Sequence, residues 1–276
     1  MTPAPVPVLL YHGVAPSAPP GLQPWVMHPD RFAAHLDLIV ERGLTPLRVS
    51  ELVDAYRGER ELPERPVVIT FDDGLADFAE HAWPALRARH LTATLYVVAG
   101  AVGGTADWLD DVGGPPPAML TWDQIRTLDA EGCEIGAHSL THPELDTLRR
   151  RAIEDEVSHS RREISTHLGA PVRSFAYPHG YYDRRVRAAV VAAGYDSACA
   201  VREALSSRDD DTLALARVTL LHDVEVDGLA AVLDGRGHPV APFPEPVRTK
   251  AWRVARRVGA GDVVAAVDRA RRGRAA

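Results

Sequence analysis

The chain has 276 residues, a formal charge of −7, 46% hydrophobic and 25% charged residues, and two cysteines. That length supports one large core, and Cys133 and Cys199 stand too far apart for a disulfide framework or a cysteine metal site, so both are expected as buried thiols. No apolar run approaches the ~18 residues of a membrane span and no basic-then-apolar leader opens the chain, so a cytoplasmic protein without a nucleic-acid partner is expected.

Residues 6–11 are the first of seven apolar, β-rich runs and stop at His12. A proline-rich loop follows, with Trp25 in reach of the same end. Over 31–42, Phe32, Leu36 and Ile39 share one helical face, and Ser50 is placed to cap a short helix over 51–57. The run 67–71 ends in Asp72-Asp73-Gly74. The run 94–99 leads into a Gly/Pro-rich segment, 100–120, long enough that a functional role is expected of it. Its Trp108 is of the kind that covers a sugar ring or packs the loop.

Thr121 to Gln124 reads as a capping box, opening a helix that stops before Gly132. The run 133–137 ends at His138, with His142 four places on. Ile153, Val157, Ile164 and Leu168 form the core stripe of a long helix. The run 174–177 leads to Pro178-His179-Gly180, Asp183 caps a helix that stops at Gly194, and runs 196–201 and 216–221 complete the series. The last contains Arg217 and ends at His222. Histidines away from the run ends are read as surface or helix residues.

The runs are continuous rather than alternating, as in parallel strands covered on both faces. With helices between them, they predict an α/β fold: a distorted (β/α)7-type barrel over residues 1–240. Residues 241–276 form a basic helical tail. From 247 on, nine Lys/Arg and two Asp give +7, leaving −14 for the rest. The tail is read as a helix packed on the acidic body, or as an arm making peripheral contact with anionic lipid at the inner membrane face or with a partner protein.

In a parallel barrel, residues just past the strand ends share one rim. His12, Asp72, Asp73, His138, His179 and His222 all fall there. Adjacent carboxylates repel unless one is protonated or a cation intervenes. The four-residue spacing of His138 and His142 puts both on one face of a helical turn, within reach of one metal. Two imidazoles and one carboxylate leave a coordination position open for water, as in catalytic zinc sites, and the other carboxylate is free to act as a base.

These residues resemble the polysaccharide deacetylases with the NodB homology domain, carbohydrate esterase family 4. Thr70-Phe71-Asp72-Asp73-Gly74 matches its TFDDG motif, and His138-Ser139-Leu140-Thr141-His142-Pro143 its H-[ST]-x-x-H-P motif. Ser174 to Gly180 is similar to its third motif, and the likeness runs from 7 to about 233. It implies a divalent metal, usually zinc, on Asp73, His138 and His142, with Asp72 as general base on a metal-bound water. It also implies an oxyanion contact from the His179 backbone N–H. The arginine that orients the base in the family is replaced by Ala176, which leaves Arg217, or else Arg173, as its substitute. Without that arginine the third motif resembles the biofilm poly-N-acetylglucosamine deacetylases, whose chain is circularly permuted. Their L-x-x-H strand comes first, as Leu9-Leu10-Tyr11-His12 does here. That favours His12 over His222 as the acid that protonates the leaving amine.

The implied function is removal of an N-acetyl group from an N-acetylated sugar: a glycan, a lipid- or nucleotide-linked sugar, or a glycoside intermediate. A formyl group is the alternative leaving acyl, and a catalytically inactive carbohydrate-binding domain is the rival from another class.

Overall fold

The seven apolar runs become seven neighbouring strands. The computed structural model describes residues 5–109 and 112–244; the basic tail from 247 lies outside them. In chain order the elements are β1 (Val8–Tyr11), β2 (Gly13–Val14), β3 (Val26–Met27), α1 (Pro29–Glu41), β4 (Thr45–Leu47), α2 (Val49–Tyr56), β5 (Pro66–Phe71), α3 (Trp83–Arg87) and β6 (Thr94–Val97). There follow α4 (Trp122–Ala130), β7 (Glu134–Ala137), α5 (Arg150–Leu168), β8 (Ser174–Ala176), α6 (Arg184–Ala193), β9 (Ser197–Cys199), β10 (Val218–Thr219) and α7 (Val226–Leu233).

The main sheet runs β10-β1-β5-β6-β7-β8-β9, with β4 also paired to β5, and every pairing is parallel. Leu215, just before β10, bridges Cys199 of β9, so a single segment touches both edges of the curled sheet. This is the distorted α/β barrel expected. All six residues of β5 are buried, as a strand covered on both faces requires. Phe32, Leu36 and Ile39 of α1, and Ile153, Val157 and Ile164 of α5, bury the stripes read from their spacing. Both thiols are free and buried.

Thr121 and Asp183 cap α4 and α6 as expected. Ser50 does not cap α2. The helix starts two residues earlier, at Val49, with Arg48 at the cap position. Glu51 closes that turn by accepting from the Arg48 amide at 2.9 Å. The Ser50 amide is bonded instead to the Glu134 carboxylate of the neighbouring β7.

Two loops meet over the open end of the barrel. Gly13 and Val14 pair with Val26 and Met27, which folds the proline-rich loop back on itself. Its Gly21 donates to the Val112 carbonyl of the long loop at 2.9 Å. A Cβ at Gly21 would stand 2.7 Å from the Val112 Cα, so the approach requires glycine there. Packing past α7 continues through Ala241, a hydrogen-bond partner of Leu205, and Phe243, under Arg202. Among the described residues no helix is long and apolar enough to cross a membrane.

Candidate active site

Parallel strands aim their C-terminal ends in one direction, and the site is built there. The Asp72 amide donates to the Tyr11 carbonyl of neighbouring β1 at 3.1 Å, which carries strand pairing one residue past β5. The chain then turns through Asp73 (φ 75°) and Gly74 (φ 82°). His138 follows β7, its amide on the Val97 carbonyl at 2.8 Å. Its Nδ1 lies 2.8 Å from the Ala176 carbonyl. A carbonyl can only accept, so Nδ1 carries the proton and the Nε2 lone pair is left for the cavity. Burial pushes the His138 imidazole down to about 4, so the ring is neutral near pH 7.

The His138–His142 pair does not sit on a helical turn. Residues 138–143 are loop, and Ser139 (φ 64°) and His142 (φ 62°) are both left-handed. Local hydrogen bonds hold this unfavourable backbone. The His142 amide donates to Ser139 Oγ at 3.0 Å. The Glu156 carboxylate of α5 accepts from the Leu140 and Thr141 amides, each at 2.9 Å, and from the Thr141 hydroxyl at 2.6 Å. Glu156 was not legible as a site residue, because a glutamate on a polar helix face has no local signature.

The result is a compact donor set. His142 Nε2 is 3.3 Å and His138 Nε2 3.6 Å from the same Asp73 oxygen. One ligand atom from each of Asp73, His138 and His142 lies within 4.8 Å of the others, and all three residues are buried. Burial opposes ionisation of Asp73, but the hydrogen bond and charge of His142 outweigh it and hold the carboxyl below its ordinary value. Two imidazole nitrogens facing one carboxylate oxygen are a donor set that fits a divalent cation.

Asp72 has a different environment. Its two oxygens accept from the two terminal nitrogens of Arg217, each at 2.7 Å. Arg217 is 0% exposed, and its Nε donates to the Ala200 carbonyl at 3.2 Å. It reaches Asp72 because β10 flanks β1 and β1 flanks β5. Burial would raise the Asp72 carboxyl, yet the charge and hydrogen bonds of Arg217 hold it below its usual range. Arg173, the other substitute weighed, points elsewhere, to Asp54 and Asp196.

His12, Asp72, Asp73, His138, His142 and His179 line one cavity of about 430 Å³. Trp25 joins them, its ring 4.9 Å from that of His12. His179 sits left-handed in a tight turn after β8, its ring 4.7 Å from that of His142. Trp108 stacks on His142 at 4.8 Å, so the long loop does reach the site. His222 is not part of this lining. Its amide bonds the Pro24 carbonyl at 3.0 Å, and its own carbonyl takes the Arg31 guanidinium.

A family model for polysaccharide deacetylase matches residues 59–198, just over half of the chain, and the chain belongs to that family. YxkH of Bacillus subtilis (strain 168), named for the same family, is 26% identical over 216 residues, covering 78% of this chain and 71% of its own. The poly-β-1,6-N-acetyl-D-glucosamine N-deacetylase of Escherichia coli (strain K12) is 34% identical over 89 residues, 31% of this chain and 13% of that protein. Among solved structures, IcaB from Ammonifex degensii superposes with a TM-score of 0.70 at 26% identity, over 83% of this chain and 97% of its own. Streptococcus pyogenes deacetylase PplD gives a TM-score of 0.74 at 23% identity, over 84% and 99%, and supports the fold.

Proposed function

We propose that the protein is a zinc-dependent hydrolase that removes an N-acetyl group from an amino-sugar-containing substrate. One observation carries this reading. A single cavity holds the Asp73-His138-His142 donor set beside a second carboxylate that is locked by a buried arginine.

Asp73, His138 and His142 would hold the cation through one carboxyl oxygen and two imidazole nitrogens. When bound there, a divalent cation eases deprotonation of water and polarises an amide carbonyl. Asp72 takes the proton from the attacking water, in an orientation fixed by its two bonds to Arg217. The His179 backbone N–H stabilises the carbonyl oxygen as charge builds there, a contact worth ~3–4 kcal/mol. His12 donates a proton to the departing nitrogen as the C–N bond breaks, giving amine and acetate. Its place in the cavity wall, which His222 lacks, supports it as the acid. The strand that leads into His12 and the likeness to the Escherichia coli poly-β-1,6-N-acetyl-D-glucosamine N-deacetylase support placing the chain beside the permuted poly-N-acetylglucosamine deacetylases. We read residues 1–240 as the catalytic body and the remainder as an appended basic tail.

Acetate release from N-acetylglucosamine oligosaccharides tests this. His12→Ala should cut kcat by roughly 10²–10⁴ with metal content intact, while His222→Ala stays within a few-fold of wild type. The reverse pattern would overturn both the acid and the permuted likeness.

A further inference from the structure

Part of the cavity wall takes no part in this chemistry. It is made by Leu22, Trp25, Val26, Leu109, Val201 and Leu221. Trp25 is 43% exposed, and Val26, Leu109, Val201 and Leu221 are half-buried. Apolar surface left open inside a concave site is what an occupant would cover. The wall comes from the two loops that meet over the barrel and from the segments after β9 and β10.

The charges around it are one-sided. Among the described residues no lysine or arginine lines the cavity. Arg217 lies behind Asp72 with both terminal nitrogens on that carboxylate. Arg202, next to Val201, turns away to the Phe243 carbonyl and lies 4.7 Å above the Phe243 ring. Glu203 does face the cavity, steadied by the Thr219 hydroxyl at 2.6 Å and the Thr219 amide at 3.2 Å. A phosphate or diphosphate needs cationic side chains or a cradle of backbone N–H groups. Here it would meet a carboxylate and hydrocarbon.

We propose that the acetamido sugar reaches this site as a glycoside with an uncharged, apolar aglycone seated on the Leu22–Trp25–Leu109–Val201–Leu221 wall. Nucleotide-linked and other phosphate-linked sugars are excluded. This rests on the deacetylase reading of the same cavity. Hydrocarbon transferred from water onto the wall strengthens binding, whereas an anionic aglycone on this wall is repelled by Glu203 and finds no lysine or arginine to pair with.

The test compares kcat/KM for acetate release by metal-loaded protein from methyl β-N-acetylglucosaminide, the octyl glycoside below its micelle-forming concentration, and UDP-N-acetylglucosamine. The octyl glycoside should exceed the methyl glycoside at least tenfold, with no turnover of the nucleotide sugar. Val201→Asp should collapse the octyl-to-methyl ratio toward one. Equal turnover of the two glycosides in wild type, turnover of the nucleotide sugar at the octyl rate, or a ratio untouched by Val201→Asp would overturn the proposal. Binding is read separately by tryptophan fluorescence with Asp72→Asn protein. If no substrate releases acetate, the deacetylase reading fails. The titration still decides the wall: tighter binding of the octyl glycoside supports it, and tighter binding of the nucleotide sugar overturns it.

Discussion

Asp72 and Asp73 are chain neighbours with different surroundings, and that difference underlies the separate roles proposed for them. The turn at Asp73 swings its carboxyl toward two imidazoles, while Asp72 stays in line with β5 and meets Arg217. The Asp-Asp-Gly signature and the two histidines were readable because a strand that ends abruptly in such residues is unusual. Glu156 was not, although three hydrogen bonds tie it to the loop between the histidines. Glu156→Ala should weaken metal affinity by roughly 10–100-fold, measured by calorimetric titration. Unchanged affinity would reduce Glu156 to an ordinary helix residue. Asp77 is a second silent residue. Its Oδ1 is shielded without a hydrogen-bond partner, and burial pushes the carboxyl up to about 7. An unfolded aspartate titrates near ~3.9. Between these values the folded state holds the extra proton, so this group's contribution to stability falls as pH rises from about 4 to about 7, then levels. Asp77→Asn removes that slope. Compared with wild type it should gain on the order of 2 kcal/mol between pH 5 and pH 8, read by urea unfolding. An equal difference at both pH values would contradict the assignment.

Elements were legible where one local rule acted alone. Seven apolar runs became seven strands because continuous burial needs only hydrophobicity. The Thr121 box and the Asp183 cap hold because their partners lie within three residues. Readings failed where distant contacts decided. The start of α2 shifted because Glu134 on β7 takes the Ser50 amide. The histidine pair is set by a left-handed turn clamped from α5, so the helical-turn geometry inferred from its spacing is replaced. The two roofing loops show the same dependence, since only the fold brings Gly21 against Val112. Gly21→Val should force them apart and raise KM several-fold with kcat little changed. Steady-state kinetics on the octyl glycoside checks this, and an unchanged KM would mean that the roof does not contact substrate.

At the scale of the molecule, strand order is what assembles the chemistry. Arg217 and Asp72 are far apart in sequence, yet β10, β1 and β5 are successive neighbours in the sheet. The family arginine missing at Ala176 pointed to Arg217 ahead of Arg173, and the return of β10 to β1 is what carries Arg217 onto Asp72. Because the three proposed metal donors come from the turn after β5 and from the loop after β7, a cation bound there would link separate parts of the fold. Zinc at a hundredfold excess over its Kd should add ~2.7 kcal/mol, raising Tm by roughly 5–10 °C. A His138→Ala variant should show no such rise in a thermal scan. The division between the adjacent carboxylates is tested most directly by measuring zinc content and acetate release together, on Asp73→Ala and Asp72→Asn. Asp73→Ala should lose both metal and activity, and Asp72→Asn should keep stoichiometric zinc while losing turnover. An active Asp72→Asn enzyme, or an Asp73→Ala protein that still holds zinc, would contradict the assignment of base and ligand.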